Sequence, residues 1–202
     1  MSDGDTRPAR GRPRREGTRL AVVAALVDLV IEQGYAATSM DQVAERAGVS
    51  KATIYRRWPS KDALIVDAHR TMVDEAGPPD TGTLEGDLMA LQQHAVTLMS
   101  DERFARMTQA SAGEALANPE LAAVFREDVM GSKLDVIRTV FERAEARGEL
   151  RAGVDWRAWA YALIGSTVFR VVFMGEQPDR EANAQLVRAI VRDSLVAPRL
   201  ED

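Results

Sequence analysis

Apolar residues recur at helical spacing along most of the chain and nowhere alternate as a half-buried strand would. Leu20, Val23, Ala24, Val27 and Ile31 form a first stripe, opened by Thr18 as a cap and closed by Gly34. Val43, Ala44 and Ala47 form a second, shorter one. It opens at Ser39, with Gln42 three residues on, a pairing in which side chains and backbone N–H groups satisfy one another reciprocally. It closes at Gly48, because left-handed backbone just past a helix end favours a residue without Cβ. Val49 plugs the turn and Ser50 caps a third helix, whose inward residues are Ile54 and Trp58. Pro59 pushes Trp58 out of helical geometry, so this helix ends near Arg57 or Trp58. Ser60 caps a fourth helix, reaching to about Glu75, with Ala63, Leu64 and Ala68 inside and Asp62 near the positive end of its dipole.

The remaining pattern is also helical. Leu84, Leu88, Leu91, Ala95 and Leu98 share a face after Gly82-Thr83, and Asp101 opens another helix. Asn118-Pro119-Glu120 puts a cap before a proline at the first helical position, starting a helix that runs to Arg147 and stops at Gly148. Asp155 caps the segment from Trp156 to Met174, which is apolar nearly all round and so is expected to be buried on more than one side. Asp179 opens a last helix with Leu186, Val187, Ile190, Val191 and Leu195 as its apolar set. The pattern predicts an all-α protein of about nine helices: a basic, disordered arm over 1–16, a three-helix helix-turn-helix domain over 17–62, and a larger helical domain over 63–202.

The outer face of the third helix carries candidate chemistry. At 100° per residue, Ala52 and Arg56 point away from Ile54, with Thr53 and Tyr55 on the flanks. A short helix of this kind fits a DNA major groove, where base edges present a distinguishable code. Arg56 can fork onto a guanine edge or onto phosphate, and Thr53 and Ala52 can meet a thymine methyl. Tyr55 and Lys51 are placed for phosphates, which set register without reading sequence. The charge distribution agrees. The chain is −5 overall, yet residues 1–70 hold 12 basic and 9 acidic side chains, and 71–202 hold 14 and 22. In the arm, Arg10-Gly11-Arg12-Pro13 resembles an AT-hook core, with arginines suited to a narrow A·T-rich minor groove; a solvated basic tail is the other reading.

Thr38-Ser39, Val43-Ala44, Ala47-Gly48-Val49-Ser50, Ile54-Tyr55, Trp58, Lys61 and Leu64 together resemble the DNA-binding domain of the tetracycline-repressor (TetR) family. The motif resemblance covers residues 17 to 70, and length and helical layout extend it to the whole chain. It implies a major-groove role for the third helix and a phosphate contact for Lys61. Arg57-Trp58 departs from it, since histidine and phenylalanine are common there; Trp58 still fills the core position. The expected DNA-contacting set is Arg10, Arg12, Thr38, Ser39, Ser50, Lys51, Ala52, Thr53, Tyr55, Arg56 and Lys61. The resemblance also implies a homodimer through residues 158 to 174 and 183 to 196, which suits a palindromic double-stranded operator.

The middle helices are rich in methionine and aromatic residues. Met72, Met89, Phe104, Met107, Phe125, Met130, Trp159 and Phe173 are candidate walls of a pocket for a small apolar or aromatic effector, with His94, Gln92 and Gln93 as polar contacts. Plain core packing explains the same residues one by one. The expected function is a repressor released from its operator by such a ligand. The rival is a regulator or architectural DNA binder controlled by a protein partner, or without a small effector. No nucleophile elbow, phosphate loop, dinucleotide fingerprint or metal-ligand cluster is present, so neither an enzyme nor a cofactor is expected. Cysteine is absent, and the first twenty residues lack an apolar core; no run reaches membrane-spanning length, and the cytoplasm is the expected compartment.

Overall fold

Side-chain caps set most of the helix starts. Ser39, Ser50, Thr83, Asp101, Asn118, Asp155 and Asp179 each accept from a backbone N–H in the first turn that follows. The computed structural model describes the backbone of residues 12–73 and 77–195, and side chains within those spans from residue 16 onward. Its helices are α1 (Arg12–Gln33), α2 (Met40–Arg46), α3 (Lys51–Arg57), α4 (Lys61–Met72), α5 (Leu84–Ser100), α6 (Glu102–Ala117), α7 (Pro119–Val124), α8 (Gly131–Ala146), α9 (Trp156–Val168) and α10 (Arg180–Ser194). Two π-helical segments, π1 (Phe125–Met130) between α7 and α8 and π2 (Phe169–Phe173) after α9, continue those helices without a break. Among the described residues the ten α-helical segments therefore make nine continuous rods, because π1 joins α7 to α8. No strand occurs among the described residues.

The chain divides into two compact units, Met1–Thr71 and Met72–Asp202. In the first, α1 starts at Arg12, six residues before the expected Thr18 cap. Pro13 is tolerated there because a first-turn residue has no intrahelical acceptor for an N–H, and the Glu16–Arg19 ion pair (2.7 Å) supports the next turn. Residues 12–16 are thus helix rather than arm; Arg10 and the side chain of Arg12 lie outside the described residues. The buried face of α1 runs through Val22, Leu26 and Val30, with Val23, Val27 and Leu29 beside them. Leu20 is 47% exposed and Ala24 also faces out, so the expected stripe is rotated on the helix. Leu64, Ile65, Val66, Ala68 and His69 of α4 are buried, which carries the unit past residue 62 to Thr71.

In the second unit, α5, α8, α9 and α10 enclose one apolar core. Leu84, Leu88, Ile137, Val140, Phe141, Leu163, Val187 and Ile190 lie at its centre, and Met89 and Trp159 pack against it. A chain of neutral polar groups crosses this interior. Gln92 Nε2 donates to the Leu163 carbonyl (3.1 Å), Thr167 Oγ1 to Gln92 Oε1 (3.4 Å), and Asn183 Nδ2 to Thr167 Oγ1 (2.9 Å). All three side chains are buried, so the network ties α5, α9 and α10 with its members satisfied. Gln92 is therefore engaged inside the core, and Gln93 faces solvent.

Of the other pocket candidates, Phe104 and Met107 are buried on α6, while Met72, His94, Phe125 and Met130 are half-buried. Phe173 does not line an interior. It is 57% exposed, with its ring 5.9 Å from that of Phe169, because the wider π2 turn rotates the face that follows α9. The rod formed by α9 and π2 buries Ala160, Leu163, Thr167 and Val171 on one side only. Ala158, Tyr161, Gly165, Phe169 and Phe173 form an exposed stripe on the other, so the expected second burial is not made within a single chain.

Candidate nucleic-acid interface

Three short stretches of backbone chemistry position α3. Ser39 and Gln42 form the full reciprocal cap at the start of α2, with Gln42 N donating to Ser39 Oγ (3.2 Å) and Ser39 N to Gln42 Oε1 (2.8 Å). Gly48 adopts φ 66°, the left-handed value that lets the chain reverse between α2 and α3. Ser50 then caps α3 by accepting from Thr53 N (3.2 Å), and its hydroxyl also pairs with that of Thr53 (2.9 Å). Both hydroxyls are thereby used in holding the first turn.

Burial fixes how α3 is rolled. Ile54 is 0% and Trp58 4% exposed, so Lys51, Ala52, Tyr55 and Arg56 share the solvent side. Arg56 has no ion-pair partner among the described residues. Lys51 is paired with Asp41 across the α2–α3 turn (2.5 Å); the hydrogen bond to that carboxylate, then its charge, holds the ammonium above the ordinary lysine range. Both partners are exposed, so the pair contributes little to stability and is readily exchanged for another anion.

Two expected contacts prove to have internal tasks. Thr38 is 2% exposed and its hydroxyl donates to the Gly34 carbonyl (2.8 Å), closing the turn after α1. Lys61 donates to the carbonyls of Tyr35 (2.6 Å) and Thr38 (2.7 Å), and its ammonium lies 4.1 Å from the Tyr35 ring centroid. It therefore clamps the α1–α2 connection onto the start of α4. Tyr35 reinforces this clamp by donating its hydroxyl to the Asp62 carboxylate.

A second set of contacts lies behind α3 and was not legible in the sequence. Trp58 Nε1 donates to Asp67 Oδ2 (2.9 Å), and Arg19 donates to Asp67 Oδ1 (3.1 Å) and to Thr71 Oγ1 (2.5 Å). The only local signal for it is tryptophan at position 58, whose N–H needs a partner when buried. Nothing near Trp58 in sequence points to Arg19, 48 residues from Asp67. Among the described residues no cluster of His, Asp and Glu is arranged to hold a metal, and no helix is long and apolar enough to cross a membrane.

Comparison with known proteins covers both units. Residues 22–68 match the family model for bacterial regulatory proteins of the tetR family, and residues 78–190 match that for a tetracyclin repressor-like C-terminal domain. YdeS of Bacillus subtilis (strain 168), an uncharacterized HTH-type transcriptional regulator, is 32% identical over 92% of this chain and 91% of its own. The crystal structure of the TetR family transcription regulator SCO0332 superposes with a TM-score of 0.69 at 27% identity, covering 90% of this chain and 99% of that one. The flavonoid-responsive regulator FrrA superposes with a TM-score of 0.65 at 26% identity, covering 90% and 98%.

Proposed function

The chain belongs to the TetR family of DNA-binding transcriptional regulators, and from that premise we propose that it is a dimeric repressor, released from a palindromic operator by a small apolar or aromatic ligand. The observation that carries the dimer is the exposed stripe on α9 and π2. Tyr161, Phe169, Phe173 and Met174 are each 56–57% exposed, a run of large apolar side chains that water alone covers poorly. A second copy of the same face offers an isologous partner and sets two α3 helices about a two-fold axis. In this reading Arg56 reads a base edge, and Lys51 and Tyr55 meet phosphates.

Support for a ligand comes from the similarity to FrrA, whose name records a response to flavonoids, and from the methionines and aromatics of α5 to α8. The rival remains control by a protein partner, with no small effector. Release of a fluorescent duplex, followed while flavonoids and aromatic acids are titrated in, separates the two. Release by any of them at saturable concentration supports the ligand reading; none releasing the duplex moves the partner reading ahead.

A further inference from the structure

We propose that Asp67, on α4, is a positioning residue for DNA reading. Its carboxylate holds the C-terminal end of α3 through the Trp58 indole and ties that end to α1 through Arg19, so the angle of the reading helix depends on this one side chain.

The geometry is specific. The two oxygens of Asp67 take two different donors: Oδ2 takes Trp58 Nε1 at 2.9 Å, and Oδ1 takes the Arg19 guanidinium at 3.1 Å. The Arg19 and Asp67 side chains are 18% and 25% exposed, so neither contact is a fully solvated surface pair. Arg19 is itself held from the other side by Glu16 (2.7 Å) and by the Thr71 hydroxyl, which donates in turn to the Asp67 carbonyl (2.5 Å). The orientation of the guanidinium is therefore set before it reaches Asp67, as a bond to a charged group requires if it is to fix position.

Trp58 is the residue through which Asp67 acts. It caps the C-terminus of α3, where its own N–H bonds to the Ile54 carbonyl (2.9 Å), and it is 4% exposed. The Arg57 guanidinium lies 5.2 Å from its ring centroid, on the last turn of the reading helix. Apolar packing alone fixes the depth of an aromatic ring but leaves it free to slide in its plane. The Nε1–Oδ2 bond removes that freedom, and because α3 has only seven residues, a shift at residue 58 is felt at Arg56.

The test separates reading from folding. An operator duplex is selected by the wild-type protein from a random-sequence pool, and a scrambled duplex of equal length serves as the nonspecific probe. Trp58→Phe keeps an aromatic ring but removes the indole N–H together with the five-membered ring that carries it; Asp67→Asn keeps one acceptor, removes the charge and changes no volume. Each should weaken operator binding about tenfold while scrambled-duplex affinity stays within about twofold, because phosphate contacts do not need an exact helix angle. For Asp67→Asn, which opens no cavity, Tm should fall by less than about 4 °C; a larger fall in Trp58→Phe reports the lost ring volume. The double variant should bind the operator no more than about twofold worse than either single one, since both changes remove the same link. Wild-type operator affinity in both single variants would overturn the proposal. So would equal losses on the two duplexes in Asp67→Asn with a larger fall in Tm, which would make the contact a fold staple only.

Discussion

Arg56 and Lys61 are two cations five positions apart, and burial gives them different work. Arg56 stands on the open face of α3, while Lys61 is half-buried over Tyr35 with its ammonium on two backbone carbonyls. Arg56→Ala should therefore cost about 1–3 kcal/mol of operator affinity, relax preference at one base pair and leave Tm unchanged. Equal weakening on all sequences in a binding-site selection would reassign Arg56 to phosphate. Lys61→Ala should lower stability by about 1–3 kcal/mol, because two carbonyls lose a charged donor, and should weaken all duplexes together; denaturant unfolding checks the first effect. Ile54→Ala, at a fully buried site, should cost about 2–5 kcal/mol of stability in the same experiment. The open face of α3 was legible in the sequence because a cap, a glycine and a proline fix its limits locally. The Lys61 clamp was not, since its acceptors lie 26 and 23 residues away and are backbone atoms that any residue supplies.

At the scale of elements, helix starts were the most legible feature, because a cap and its free N–H are neighbours in sequence. Asp179 shows what such a cap does. Backbone N–H donation from Ala182, then the hydrogen bond from Arg170, holds its carboxyl below the usual aspartate value of 3.8. A depressed native pKa stabilises the fold above the unfolded value and loses that stabilisation as pH falls through the native one. Asp179→Ala should thus lower Tm at pH 7, and the gap to wild type should close as the pH is taken below about 4; a gap that stays constant would deny the cap its charge. Helix faces were less legible. From Leu20 to Ile31 every residue of α1 except Asp28 is apolar, so several stripes fit the pattern and only packing selects Val22, Leu26 and Val30. The π turns are silent in composition, which is why Phe173 was expected inside and lies outside.

For the whole molecule, the net charge and the helical layout were readable, whereas the stripe left open on α9 and π2 becomes visible only when one chain is seen to bury a single side of that rod. Tyr161 and Phe169 sit one above the other on this stripe among the exposed residues. Phe169→Glu should convert the dimer to monomers in sedimentation with little change in Tm of the isolated chain, as a charge cannot be buried unpaired against its own copy. A ligand that weakens operator binding tenfold must also bind the DNA complex tenfold less tightly, about 1.4 kcal/mol of coupling, which calorimetric titration into free and DNA-bound protein reads directly. Symmetric binding of a dimer to its operator is read most directly by hydroxyl-radical footprinting of the intact protein on its selected duplex, with the stoichiometry fixed by sedimentation of the same complex. Two symmetric protected half-sites, roughly 34–36 Å or one helical turn apart, with two chains per duplex, are expected. A single unpaired half-site carrying one chain would rule out a symmetric dimer on the operator.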